Sequence, residues 1–203
     1  MITASDIQKR RSPRALRDFV IHLKDSVKAS KEELRSGILK SGLYKEFLDE
    51  IVPLSVFALQ IYPEDSQIQP VLGNQGYDAL VFDREGREVD RVEITSPHDG
   101  NSEAKDATLV VDQGVGELHF GQPGDELDAL IPYVLGTCRK KAEKDYRDCT
   151  LVVAIEPTTP IMSFHAKHEQ QLALITTGMT QIKFKAKRVF LVLLPDRVLA
   201  VHQ

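Results

Sequence analysis

Cysteine and long apolar segments are both scarce in this chain. The two cysteines, Cys138 and Cys149, do not form a Cys-x-x-Cys pair, which argues against a zinc or redox site and fits a reducing compartment. No run reaches the roughly 18 apolar residues that a membrane-spanning helix needs. Residues 1–14 are polar and basic, unlike the apolar core of a signal peptide. We therefore expect a cytoplasmic protein without a membrane segment.

An excess of basic charge is also missing. The formal net charge is −4 at pH 7, which argues against a protein that coats nucleic acid by bulk charge, since phosphate binding depends on Lys and Arg. Two local basic stretches stand out, Lys9–Arg17 and Lys183–Arg188. Each fits a solvated arm or sheet edge, and each also fits a contact with nucleic acid.

Several signatures of nucleotide-binding and hydrolytic proteins are missing as well. The glycines at 73–76 and 114–116 lack the Lys-Ser/Thr of a P-loop, so both stretches are predicted turns. His165 and His168 lie three residues apart on a predicted helix, without the His-Glu-x-x-His sequence of a zinc protease. No Gly-x-Ser-x-Gly occurs. With these signatures missing, the acidic residues are the main candidates for a functional site.

The patterning predicts one α/β domain. A chain of 203 residues is long enough for one sizeable core. Helices to about residue 60 are followed by three strands, a helix, a buried strand, a helix and two final strands, which predicts a mixed sheet with helices on both faces. Within the single domain, residues 1–60 form a helical part and 61–203 the mixed-sheet core. The predicted helices are 16–27, 31 onward, 43–60, 125–146 and 162–177, and the predicted strands are 68–72, 77–82, 89–95, 107–111 with 117–120, 150–155, 188–194 and 198–201.

A predicted hairpin between residues 73 and 100 organises the chain. Asp78 opens its first strand, and Glu93 lies between two apolar residues near the end of the second. Pairing about the turn makes the two acids cross-strand neighbours. Two carboxylates at one end of a hairpin can hold a hard divalent cation. The alternative is that they form surface ion pairs with Arg84, Arg87 or Arg91 of the same hairpin.

This arrangement resembles the PD-(D/E)XK nuclease superfamily over about residues 43–156. The match places Asp78 at the first acid, Glu93-Ile94-Thr95 at the Glu-x-Lys tripeptide and Glu50 at the helical acid. Glu46 is the other candidate for the helical acid.

The resemblance implies a restriction-endonuclease-like fold and a nuclease that cleaves DNA with magnesium or manganese. The implied metal ligands are Asp78, Glu93, the Ile94 carbonyl and Glu50. Backbone and carboxylate oxygens of this kind are the ligands that Mg²⁺ takes.

One residue departs from the family pattern. Thr95 stands where the motif has its lysine, and a hydroxyl cannot supply the positive charge. Lys140 or Lys141, on the helix expected to pack beside the sheet, are the predicted replacements, with Lys144 and Lys105 as further candidates. Otherwise the metal alone activates water, or the chain is a non-catalytic member of the fold that binds nucleic acid or protein. The oligomeric state stays open, with a homodimer among the options.

Overall fold

The protein is described by a computed structural model that covers residues 2–73, 75–97, 107–112, 125–156 and 165–202, with the backbone alone for 125–129 and 165–168. Its described strands form one six-stranded mixed sheet in which the spatial order of the strands is their order along the chain. Helices flank this sheet, which confirms the predicted α/β class. The strands are β1 Gln67–Pro70, β2 Ala79–Phe82, β3 Glu88–Thr95, β4 Tyr146–Ile155, β5 Ala186–Leu193 and β6 Arg197–His202.

Helices precede the sheet and separate its parallel strands. The helix Lys31–Ile38 begins at the predicted N-cap, since the Ser30 side chain accepts a hydrogen bond from the Glu33 N–H. A π-helix, Phe47–Ile51, joins the helix Leu43–Glu46 to the helix Val52–Ile61. The α-helices are α1 Ala4–Ile7, α2 Pro13–Ala29, α3 Lys31–Ile38, α4 Leu43–Glu46, α5 Val52–Ile61, α6 107–112, α7 Asp125–Ala142 and α8 His165–Thr180.

The strand directions follow from the connections. β1, β2 and β3 form an antiparallel meander, and β5 and β6 form a second antiparallel pair. β3, β4 and β5 are parallel, because α7 and α8 lie in the crossovers that bring the chain back to the same end of the sheet. This order puts the end of α7 next to β3.

The buried side chains separate into two clusters, one on each face of the sheet. Val152 and Ala154 of β4 pack in the cluster that contains α2 and α5, whereas Leu151 and Val153 pack in the cluster that contains α7 and α8. Successive residues of a strand point to opposite faces, so β4 is buried on both sides. Burial on both sides explains why residues 151–155 of β4 are all apolar.

Three cations of the N-terminal basic stretch make contacts within the molecule. The Arg10 guanidinium lies 3.7 Å from the centre of the Phe82 ring, and that of Arg11 lies 3.8 Å from the Phe19 ring. Arg17 donates to the Pro195 carbonyl at 3.2 Å. These contacts hold the N-terminal helices against the sheet, and they favour a structural interpretation of Lys9–Arg17.

Three sequence-based boundaries are corrected. The predicted strand at 107–111 is wrong, because residues 107–112 are helical. The β-branched residues at 108, 110 and 111 favour strands only through a context-dependent preference. Its predicted partner, 117–120, lies outside the described residues. α7 ends at Ala142, and β4 begins at Tyr146 instead of residue 150. No helix in the described ranges combines the length and apolar character needed to cross a bilayer.

Candidate carboxylate and lysine site

The β2–β3 hairpin brings two acids to the same edge of the sheet. Its register pairs Ala79 with Val92, and the Asp78 N–H donates to the Val92 carbonyl at 2.8 Å. Ala79 and Val92 are buried against the N-terminal helices. Asp78 precedes this pair and Glu93 follows it, so strand alternation directs both acids toward the opposite face.

Asp78 is anchored by the neighbouring strand. One carboxylate oxygen accepts a hydrogen bond of 2.7 Å from the Ile94 N–H. Burial raises the pKa of Asp78 to about 6, and the charge of Glu93 acts in the same direction. The Ile94 N–H and the Lys141 ammonium oppose this rise without cancelling it. Asp78 is therefore a fixed carboxyl group whose charged form is disfavoured mainly by burial.

Glu93 binds a lysine that comes from a helix. Lys141, in the last turn of α7, places its Nζ 2.6 Å from Glu93 Oε1. The side chains are only 18% and 12% exposed, so this ion pair is largely shielded from water. Leu151, the register partner of Glu93 on β4, belongs to the cluster beneath α7 and α8. Glu93 therefore faces the helix that supplies its lysine.

Tyr146 completes the surroundings of Glu93. Its hydroxyl donates to the same Oε1 at 3.1 Å and lies 3.5 Å from Lys141 Nζ. Burial raises the pKa of Tyr146, and the negative charge of Glu93 raises it further. The hydroxyl therefore stays protonated and acts as a donor at neutral pH.

Glu50 lies on the π-helix, which is attached to the end of β3. The Ser96 hydroxyl, directly after β3, donates to the Asp49 carbonyl at 2.8 Å and ties the π-helix to the end of this strand. Burial raises the pKa of Glu50 to about 7, and the charges of Asp78, Glu46 and Asp49 also raise it, while Lys45 lowers it. Single π-helical turns are frequent at functional sites. Glu50 and Asp78 thus belong to one group of interacting charges.

The other acids of this segment have different surroundings. Asp49 forms ion pairs with Lys40 at 2.8 Å and Lys45 at 3.1 Å. Glu46 Oε2 is buried without a hydrogen-bond partner in the described part of the chain. The pKa of Glu50 is raised first by burial and then by the charge of Asp78, and this interaction with Asp78 favours Glu50 as the helical acid.

The remaining predicted residues differ in their exposure and in their position relative to Glu93. Lys140 is exposed, next to the partly buried Lys141 that contacts Glu93. Thr95 lies two residues beyond Glu93, hence on the same face of β3, and is partly exposed. Lys105 lies outside the described residues, and Lys144 is exposed. The catalytic and metal-binding roles of these residues stay predictions.

The alternative of ion pairs within the hairpin is not observed. Neither Asp78 nor Glu93 pairs with an arginine of the hairpin, within the residues described. The arginines bind other acids, namely Arg84 to Glu85, Arg87 to Asp83 and Glu85, and Arg91 to Glu88. Within the described residues, Asp78 and Glu93 therefore take no part in the ion pairs of the hairpin arginines.

A second polar cluster lies on the other face of the sheet. The Asp90 side chain is 2% exposed and accepts hydrogen bonds from Tyr62 at 2.6 Å and Thr150 at 2.8 Å. It also pairs with Arg188 and, at 3.1 Å, with Lys187. Burial favours the neutral acid, but these hydrogen bonds and charges hold the pKa of Asp90 below its usual range. The end of the basic stretch Lys183–Arg188 is thus used to satisfy a buried carboxylate.

Neither the comparisons with known proteins nor the local geometry assigns a role to this site. Family models, curated proteins and solved structures give no match to the chain. Within the described ranges, no group of three or more His, Cys, Asp or Glu side chains is arranged to hold a metal ion. The observed contacts join Asp78 to the Ile94 N–H and Glu93 to Lys141 and Tyr146, and the charge of Asp78 also acts on Glu50.

Proposed function

We propose that the chain is a magnesium-dependent nuclease that acts on phosphodiester bonds of DNA. The observation that carries this proposal is the 2.6 Å contact between Lys141 Nζ and Glu93 Oε1, beside the anchored carboxylate of Asp78. Two acids that can hold a divalent cation and a lysine that can stabilise phosphate charge are residue types that support phosphodiester hydrolysis.

The element order supports the same proposal. A helical acid on the segment before the sheet is followed by an antiparallel meander, then by α7 and by β4, which is parallel to β3. This order agrees with the resemblance to the PD-(D/E)XK nucleases. We therefore propose a restriction-endonuclease-like core around the site.

The donor chemistry suits a hard divalent cation. Asp78 and Glu93 would hold Mg²⁺ or Mn²⁺, with the Ile94 carbonyl and Glu50 as further oxygen ligands. Burial, together with neighbouring carboxylates, raises the pKa values of Asp78 and Glu50, and a bound cation would favour their charged forms. When bound, such a cation supplies Lewis-acid stabilisation and an activated water. Mg²⁺ often binds through one or two carboxylates plus substrate phosphates, so a complete protein ligand set before substrate binding is not required.

Lys141 takes the role that Thr95 cannot fill. Its ammonium group lies beside the carboxylates, held by Glu93 Oε1 and next to the Tyr146 hydroxyl. From this position it can bind a phosphate oxygen and stabilise the negative charge that develops during cleavage. Lys140 is exposed and serves as the natural comparison.

A non-catalytic binding module is the second candidate. It is favoured by Thr95 and by the Lys141–Glu93 ion pair, which neutralises one acid without a metal. This candidate predicts DNA binding that weakens with salt and is not followed by cleavage.

A cleavage assay separates the two. Wild type, the double variant Asp78→Ala/Glu93→Ala, Lys141→Met and the control Lys140→Met are incubated with single-stranded and duplex DNA in Mg²⁺ or Mn²⁺. We expect no cleavage by the double variant and a loss of about 100- to 1,000-fold for Lys141→Met, the size found for removal of one charge-stabilising donor. Lys140→Met should match wild type. Cleavage that survives in the folded double variant refutes the assignment.

A further inference from the structure

A polar cleft lies directly beside the carboxylates. It has a volume of about 540 Å³, within the roughly 300–1,000 Å³ of small-molecule pockets. Tyr77, which precedes Asp78, and Tyr146, which binds Glu93, both line it. The cleft therefore shares a wall with the site.

The charges of the cleft are balanced. Arg91 pairs with Glu88 at 2.7 Å, and Arg147 pairs with Asp145 at 2.6 Å. Asp148 adds another carboxylate to the lining. Since these guanidinium groups are neutralised locally, the described lining of the cleft carries no excess of positive charge that would select a phosphate.

The planar and hydrogen-bonding side chains of the lining indicate the kind of ligand that the cleft can bind. The Arg91 guanidinium lies 5.2 Å from the centre of the Tyr77 ring, so one wall carries an aromatic ring beside a planar cation. Asp148 and the paired Arg147 and Asp145 add polar groups around the same space. An uncharged planar ring with donors and acceptors on its edge matches this combination, and a nucleobase is such a ring.

We propose that this cleft binds one unpaired base of the nucleic acid whose phosphate lies at Asp78, Glu93 and Lys141. This inference rests on the proposed function and specifies its substrate as single-stranded DNA or a duplex with a single-stranded end. A base within a duplex must first be unpaired and unstacked at a cost that a single strand does not pay. Continuous duplex is therefore the poorer substrate.

Binding is measured first, without cleavage. Fluorescence anisotropy in EDTA compares a labelled single-stranded oligonucleotide with its blunt duplex, for wild type, Tyr77→Ala and Arg147→Ala. The matched controls are Tyr133→Ala and Arg139→Ala, which truncate exposed residues of α7 outside the cleft. Arg147 is 79% exposed, so its truncation tests the cleft without removing buried packing.

We expect the single strand to bind at least about tenfold more tightly than the duplex. Tyr77→Ala should weaken it by roughly 5- to 150-fold, the range for loss of one base stack, and Arg147→Ala should weaken it as well. Equal or tighter duplex binding overturns the inference, as does single-strand binding that both cleft variants leave unchanged.

Cleavage in Mg²⁺ separates this inference from the proposed function. Equal cleavage of both DNA forms, unaffected by Tyr77→Ala, keeps the nuclease and removes the base-binding cleft. Single-strand binding that depends on Tyr77 and Arg147, with no cleavage, keeps the cleft and removes the nuclease.

Discussion

Glu50→Gln is expected to stabilise the metal-free protein at alkaline pH. Burial and neighbouring carboxylates raise the pKa of Glu50 from 4.5 to about 7. Below about pH 4 the acid is protonated in both the folded and the unfolded state, so it carries no penalty. Between about pH 4.5 and 7 the unfolded chain releases the proton first, and the free energy of unfolding falls as pH rises. Above pH 7 the folded protein bears the full cost of the charge.

The magnitude follows from the size of the pKa shift. At 1.36 kcal/mol per unit, a shift from 4.5 to about 7 corresponds to about 3 kcal/mol. Glu50 is only partly buried, and water screens part of its interaction with the other acids. We therefore expect Glu50→Gln to raise the free energy of unfolding by about 1–2 kcal/mol at pH 8 and by little at pH 4.

Urea denaturation in EDTA at pH 4, 6 and 8 measures this difference. The control Glu143→Gln removes an exposed acid and should stay within about 0.5 kcal/mol of wild type at every pH. An equal or lower stability of Glu50→Gln at pH 8 refutes the reasoning. Added Mg²⁺ should then stabilise wild type more than the variant, because a ligand that binds only the folded state raises its stability.

The remaining stability predictions concern two other buried polar groups. Asp90→Ala leaves Arg188 without its buried acid and should lower the free energy of unfolding, measured by urea denaturation, by about 3–5 kcal/mol. The exposed control Asp148→Ala should lie within about 0.5 kcal/mol of wild type. A cost below about 1 kcal/mol for Asp90→Ala contradicts this role. Tyr146→Phe removes one hydrogen bond to Glu93 and should cost about 0.5–1.5 kcal/mol. The control for it is Tyr133→Phe on the surface of α7, and equal stability of the two variants contradicts the prediction.

The positions of Asp78 and Glu93 followed from the sequence because both are fixed by local rules. Strand alternation and the turn between residues 83 and 88 are enough to place two acids across a hairpin. The structure adds what those rules do not contain, such as the hydrogen bond from the Ile94 N–H to Asp78.

The choice between Lys140 and Lys141 could not be made from the sequence. Adjacent helical residues point about 100° apart, and the rotation of α7 is set by the burial of Val134 and Cys138 against the sheet. Tyr146 was missed because exposed residues at 147 and 148 interrupt the apolar run of β4 and hide its true start. The π-helix has no sequence pattern of its own, so Glu46 and Glu50 could not be distinguished.

The position of Lys141 makes the charge of the site depend on helix packing. Residues 93 and 95 lie on the same face of β3, so a lysine at 95 would stand beside Glu93 through the strand alone, whereas Lys141 stands there only while α7 is docked. If only the charge matters, Thr95→Lys added to Lys141→Met should raise cleavage at least about tenfold over Lys141→Met. The control Val89→Lys, at an exposed position of the same strand, should give no rescue. Failure of the lysine at 95 to restore cleavage would show that Lys141 acts by holding α7 and Glu93 in place instead of by supplying charge to the phosphate.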